Sequence, residues 1–213
     1  FVFSSSSEVY ADSIGPNSSL VPTNENVPCS INDVLNERFS YGGSKLACEI
    51  MLNSFHKQYG LDYQIIRYHN IYGPRMGTKH VMPQFIKRSK DGANPYYLYG
   101  AYQTRAFCYV DDAVRATLCL AKQTNQGIFH IGNDEEEVEI IELANVINNW
   151  YSNETDYIIK NPPAGSVARR CPDITKLRET TNYQPEVSLE QGLAKTIGWY
   201  DLWYNNNTLG GLL

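Results

Sequence analysis

Long apolar runs are missing: nothing approaches ~18 uninterrupted apolar residues, and no charged, apolar and cleavage segments in series open the sequence. The expectation is a chain that neither crosses a membrane nor carries a leader. Cysteine is sparse. The five, Cys29, Cys48, Cys108, Cys119 and Cys171, are far apart, form no C-x-x-C pair and are odd in number, so neither a zinc site nor a disulfide framework is indicated. A reducing, cytoplasmic setting fits that usage. Positive charge is short as well: 18 Lys and Arg against 23 Asp and Glu give a net charge of −5, which offers nucleic acid no broad basic surface. A small anionic ligand held by a local group of arginines is still allowed. His56, His69, His80 and His130 lack metal-ligand spacing and read as packing, turn or surface residues, so no metal is expected. The sequons at Asn17 and Asn153 read as chance.

What remains is an ordinary globular composition. Of 213 residues, 42% are hydrophobic and 19% charged, enough to bury a core and too apolar for a disordered chain. The sequence opens on Phe1-Val2-Phe3 without methionine, which reads as the end of a buried strand entering the turn Ser4-Ser5-Ser6-Ser7. The expectation is a piece of a longer chain, with a processed leader as the alternative. Residues 11–37, rich in Asn, Pro, Ser and Asp, read as a long loop that belongs to a site rather than a core. A helix is predicted from Ser40, its possible N-cap, to about Tyr59, closed by Gly60, with Leu46, Ile50 and Phe55 among its apolar positions. Tyr63 to Tyr68 follows as a strand.

Further along, the patterning predicts a helix from Met82 to Lys90, a hairpin-like segment from Tyr96 to Tyr109, and a helix from Val110 to Ala121 with Asp111 and Asp112 in its first turn. A strand at Gly127 to Gly132 and helices at Val138 to Tyr151 and Leu189 to Tyr204 complete the series, and Glu135-Glu136-Glu137 reads as a solvated helix start. Strand, loop, helix and strand in succession indicate an α/β fold with a parallel sheet.

Tyr41 and Lys45, four apart on one predicted helix, project from the same face. A cation beside a phenol is a means of making a base: lowering a tyrosine from ~10 to neutrality takes roughly 4 kcal/mol of extra phenolate stabilisation. An ammonium in a poorly solvated cleft supplies much of that. The pair alone is weak, since most such pairs are solvent-facing neighbours. It gains weight from the serines at a preceding strand end, which make Ser6, Tyr41 and Lys45 a candidate proton-handling set.

Five ordered segments carry a resemblance: Ser5 to Tyr10, Tyr41 to Lys45, Arg67 to Arg75, Thr104 to Asp112, and Arg170 to Ile174 continuing at Gln184 to Leu193. Together they resemble the extended short-chain dehydrogenase/reductases that modify nucleotide sugars, over nearly the whole chain. The resemblance implies the C-terminal part of a Rossmann-type parallel-sheet domain at 1–75 and a smaller α/β substrate-binding lobe at 76–213, with 105–135 able to return to the sheet. It implies NAD as cofactor and a UDP-sugar as substrate. Tyr41 would then deprotonate a sugar hydroxyl, Ser6 hydrogen-bond that oxygen, and Lys45 hold the nicotinamide ribose, with Ser4 and Tyr68 also bordering the cofactor. Asn70 and Arg105 would lie at the diphosphate or sugar, with Ser7, Arg75 and Arg170 as further substrate contacts and Arg169 as a weaker one. The bland alternatives are an Asn70 that fixes its own turn and an Arg105 paired with Asp111 or Asp112 on the surface. The family's Gly-rich phosphate turn is expected upstream of Phe1. An arginine common before the Pro-Asp-Ile motif is not evident between Pro162 and Val167, so diphosphate binding is expected to be rearranged.

Within that family, Asp-Glu after the serine or threonine marks 4,6-dehydratases, and small neutral residues mark 4-epimerases. This chain has Ser7-Glu8 before Val9-Tyr10, which is similar to UDP-glucuronate decarboxylases. There Glu8 and Arg105 would orient and reprotonate the decarboxylated intermediate. A UDP-sugar 4-epimerase is the alternative, a non-catalytic NAD- or sugar-nucleotide-binding regulator the reading from another class, and Glu8 as a plain loop carboxylate the bland one. A poor match at Val27 to Phe39, and Ala11 where glycine is usual, count against the decarboxylase. Related enzymes dimerise through the Tyr/Lys helix, so a homodimer is expected, with Leu46, Met51 and Phe55 either interfacial or, more simply, core.

Overall fold

The computed structural model describes residues 1–10, 12–14, 19–31, 33–124 and 126–208. In chain order the elements are β1 (Val2–Ser6), α1 (Ser40–Tyr59), β2 (Gln64–Tyr68), β3 (Ile71–Tyr72), α2 (Val81–Lys90), β4 (Tyr96–Tyr99), β5 (Thr104–Ala106), β6 (Cys108–Tyr109), α3 (Val110–Ala121), β7 (Gly127–Ile131), β8 (Glu137–Glu139), α4 (Ile140–Trp150), β9 (Tyr157–Lys160), β10 (Arg169–Arg170), α5 (Thr175–Thr181) and α6 (Leu189–Thr208).

The main sheet runs β1-β2-β7, all parallel, with Ser4 beside Ile66 and Ile66 beside Phe129. Parallel strands covered on both faces read as continuous apolar runs, and β2 is buried from Gln64 to Arg67. One face carries Ile66, Phe129 and Ile131 against Ala113, Ala116 and Leu120 of α3 and Leu177 of α5. The other face is covered by α1. A separate core joins Met82, Phe85 and Ile86 of α2, Leu143 and Ile147 of α4, and Leu193, Ile197 and Tyr200 of α6. Each fully buried aliphatic or aromatic side chain there contributes roughly 1.5–3 kcal/mol. β10 pairs β5 in parallel and β5 pairs β8 antiparallel, while β3 and β6, and β4 and β9, form parallel pairs.

Several expectations are corrected. Ser40 is the first residue of α1 rather than its N-cap; Phe39 occupies that place, with no side-chain cap bond. The hairpin at Tyr96 to Tyr109 does not form, because β4 pairs with β9 and β5 with β8 and β10. Local turn residues cannot reveal such distant partners. Glu137 belongs to β8 rather than a helix start, and its carboxylate binds Arg169 and Thr104. α4 therefore begins at Ile140, entered through a capping box between Glu139 and Glu142. α6 runs on to Thr208. The 11–37 loop does build core: Ile14, Val21 and Val27 pack with Val9, Tyr10, Ala106, Val167 and Cys171. Asn17 lies outside the described residues, and the Asn153 amide donates to the Ser89 carbonyl.

Met51 and Phe55 are 56% and 47% exposed, and Ile50 and Tyr59 also face outward, so they are not core. No helix among the described residues is long and apolar enough to cross a membrane.

Candidate active site

The C-terminal end of β1 leads through a short helical turn at Ser7–Tyr10, and α1 packs directly on that turn. The approach is close: a Cβ on Gly42 would lie 2.6 Å from the Glu8 carbonyl oxygen, which is why the position next to Tyr41 takes glycine. A cleft of about 440 Å³ opens there, lined by Ser6, Ser7, Glu8, Arg38, Tyr41, Tyr68, Asn70, Ile71, His80 and Arg170.

Tyr41 is 52% exposed at its mouth. Lys45, one turn on, donates from Nζ to the Ser4 carbonyl at 2.7 Å and stands 5.7 Å from the Tyr41 ring centroid and 5.2 Å from that of Phe3. The ammonium is thereby fixed beside the phenol ring at cation–π range. Ser6 Oγ accepts from the Glu8 N–H at 3.2 Å. Tyr68 Oη shares a hydrogen bond with Thr117 of α3 at 2.8 Å, so its ring is held at the cleft wall. The side chain of Ser7 is buried, and Ser4 meets Lys45 only through its carbonyl.

Glu8 is the electrostatic centre. Arg170 donates from Nη1 to its Oε1 at 2.6 Å, and Arg38 Nη2 lies 4.0 Å from its Oε2. Burial works against its ionisation, yet Arg170, Arg38 and Arg105 outweigh it and hold the carboxyl below its ordinary value of 4.5. Arg170 is buried, and its Nε and Nη2 find no hydrogen-bond partner among the described residues.

A second cleft, about 310 Å³, includes Asn70, Lys79, Gln84, Arg88, Gln103, Arg105 and Ser166 in its lining. Asn70 lines both clefts. It has a left-handed backbone (φ 43°), which Asn tolerates better than other side-chain-bearing residues. Its Nδ2 donates to the Ala106 carbonyl at 3.0 Å, so it ties β5 to the end of β2 rather than merely fixing its own turn. Arg105 is not on the surface and does not pair with Asp111 or Asp112. Its guanidinium donates to the Val167 carbonyl at 2.8 Å and the Thr104 carbonyl at 2.7 Å. Burial, with Arg170 nearby, pushes its pKa down to about 10. Asp112 instead binds Arg115 and the Glu186 and Val187 N–H groups.

Arg75 is exposed in a left-handed turn and lines neither cleft, and Arg169 turns to Glu137 and the Val21 carbonyl. Arg38 and His80 were missed from the sequence. Arg38, three positions before Tyr41, meets Glu8 only through the fold, and His80 sits at the entry to α2. His69 and His130 are fully buried with ring centroids 4.5 Å apart, and burial drives both basicities down, His130 to about 3. Among the described residues no group of His, Cys, Asp and Glu is arranged to hold a metal ion.

Comparison with known proteins fits this geometry. Residues 1–132 match the sequence profile of the NAD dependent epimerase/dehydratase family. The chain belongs to that family. It is 34% identical over 210 residues to the UDP-N-acetyl-alpha-D-glucosaminuronate decarboxylase of Bacillus cytotoxicus, covering 93% of this chain and 63% of that protein. It is 31% identical over 200 residues to UDP-glucuronic acid decarboxylase 1 of Arabidopsis thaliana, covering 92% of this chain and 44% of that protein. The chain thus spans about half the length of the curated relatives it matches. Among solved structures it resembles a Thermotoga maritima UDP-glucose 4-epimerase with UDP-glucose, at a TM-score of 0.83 and 29% identity over 96% of this chain and 64% of that one. The family members share the Rossmann-like α/β architecture seen here.

Proposed function

We propose that the protein carrying this chain modifies a UDP-sugar through transient oxidation at C4 with NAD, and that its overall reaction is decarboxylation of UDP-glucuronate. The observation that carries the reading is Glu8 held by Arg170 and Arg38 in the same cleft as Ser6 and Tyr41. The nicotinamide end of NAD suits the residues at the β1 edge: Lys45 has three donors, of which the bond to Ser4 takes one. Lys45, Ser4, Tyr68 and Tyr41 would border it, and when bound it supplies the hydride acceptor.

Tyr41 takes the C4 hydroxyl proton, helped by the Lys45 ammonium, while Ser6 donates to the same oxygen. Once C4 is a ketone, the C5 carboxylate is a β-keto acid: the C5–carboxylate bond breaks, carbon dioxide leaves, and the electron pair passes to the enolate. C5 then needs a proton. Glu8 is ionised and is no proton source itself, so its part is to orient, with Arg105 and Arg170 close by, the water that relays one solvent proton to C5; Tyr41 then gives its proton back to the C4 oxygen as the ketone is reduced again, which restores the C4 hydroxyl. Ser7 lies against the sugar, and Asn70 and Arg105 serve the diphosphate side. The division into a Rossmann part and a smaller lobe is part of the same proposal. So is a cytoplasmic homodimer, supported by five free thiols and the exposed Ile50, Met51 and Phe55 of α1.

A 4-epimerase is the second reading, favoured by the likeness to the UDP-glucose 4-epimerase structure. The deciding experiment supplies the complete protein with UDP-glucuronate, UDP-glucose and UDP-N-acetylglucosamine separately. Carbon dioxide from the first supports decarboxylation. Interconversion of a neutral sugar nucleotide without gas establishes epimerisation, and bound NAD without turnover of any would make the protein a regulator.

A further inference from the structure

The charge inside β2 has no part in the chemistry above. Arg67 and Glu49 are 4% and 5% exposed in their side chains, and two bonds join them: Nη2 to Oε2 at 2.5 Å and Nε to Oε1 at 3.0 Å. Each end is extended. Ser5 Oγ donates to Glu49 Oε1 at 2.5 Å, and Arg67 Nη1 donates to Tyr10 Oη, which also meets His130 Nε2 at 2.8 Å. One polar chain therefore runs from β1 through α1 and β2 to the turn after β1 and on to β7.

Its members neighbour the proposed reacting groups. Ser5 precedes Ser6, Arg67 precedes Tyr68, and Glu49 continues the helical face of Tyr41 and Lys45 at intervals of four. α1 has little else to hold it at this depth: its buried residues are Gly42 and Glu49. An apolar helix stripe can slide or rotate on a sheet, whereas a two-bond ion pair admits one geometry. We infer that Glu49 and Arg67, with Ser5, are positioning residues that fix the rotation of α1 on the sheet so that Tyr41 and Ser6 reach the same sugar oxygen. This rests on the reading of Tyr41 and Ser6 given above.

A merely structural ion pair makes a different prediction. Apolar residues of similar volume often replace a buried pair with little loss of stability, so positioning and stability can be separated. In the complete protein, Glu49→Leu combined with Arg67→Met should keep a cooperative unfolding transition near the wild-type midpoint. Its kcat should fall by roughly 10²-fold, the loss expected of a reacting group misplaced by an ångström, with KM for the sugar nucleotide changed less than about threefold. Ser5→Ala leaves the ion pair whole and cuts only its tie to β1; it should lower kcat by about tenfold, again without raising KM. If the double variant does not fold, Ser5→Ala decides. The inference is overturned if the folded variants keep wild-type kcat, or if kcat falls only as far as the folded fraction does. Wild-type protein that turns over no sugar nucleotide would instead overturn the reading of Tyr41 and Ser6, a separate outcome visible before any variant is made.

Discussion

Two glutamate–arginine pairs lie near the end of β1, and they differ in how completely they are satisfied. In the sheet, Glu49 and Arg67 are almost wholly buried, doubly bonded and extended by Ser5 and Tyr10. In the cleft, Glu8 is 29% exposed, Arg170 binds it through one nitrogen and leaves two without partners, and Arg38 stands off at 4.0 Å. A saturated pair in low dielectric fixes geometry. A pair with spare donors at a cleft can exchange partners with a ligand, and this difference separates scaffold from site.

The largest effect expected is on the proposed base: Tyr41→Phe should lower kcat by 10²- to 10⁴-fold, the range of general base catalysis, with an unchanged unfolding midpoint. Next, Glu49→Ala or Arg67→Ala, each stranding a buried charge, should cost about 3–5 kcal/mol in chemical denaturation. Glu8→Gln strands a charge nearer solvent and should cost less, about 1–3 kcal/mol, while reducing carbon dioxide release on the order of 10²-fold. Equal costs at the two pairs would erase the distinction between them.

A smaller effect is acid lability of two kinds. His130, ordinarily 6.5, is depressed to about 3 by burial and Arg67, so the folded state resists a proton that the unfolded chain accepts. Its contribution is complete above 6.5 and is lost as pH falls from there toward 3. Glu8 is also lowered, from 4.5, so its contribution is complete above that value and is lost as pH falls from there through the lowered one. Unfolding midpoints measured across pH should therefore begin to fall below 6.5, with the Glu8→Gln difference fading only below 4.5. A wild-type midpoint that stays flat from 6.5 down to 4.5 would contradict the buried neutral histidine.

Much of this was legible in the residues. The helix carrying Tyr41 and Lys45 and the strands at Gln64 and Gly127 follow from periodicity and from Gly60, which adopts the left-handed conformation that closes the helix. Ser6, Glu8, Tyr41 and Asn70 could be picked out because their motifs are local in sequence, and all four line one cleft. What could not be read depends on distant partners. Arg170 finds Glu8 across 162 positions, and β4 finds β9 rather than β5. Arg67 did carry an unused signal: a charge within Ile65-Ile66-Arg67-Tyr68, in a buried strand, requires a buried partner. Its identity as Glu49 needed the fold. Arg75 belongs to a matching motif but stands exposed, in a left-handed turn, outside the lining of both clefts.

Rapid mixing of the complete protein with UDP-glucuronate, followed by the absorbance of reduced nicotinamide, tests the oxidation at C4 most directly. The signal should rise before carbon dioxide appears, decay with product formation, and be missing in Tyr41→Phe. Carbon dioxide release with no such signal, or an undiminished signal in Tyr41→Phe, would contradict a Tyr41-initiated oxidation.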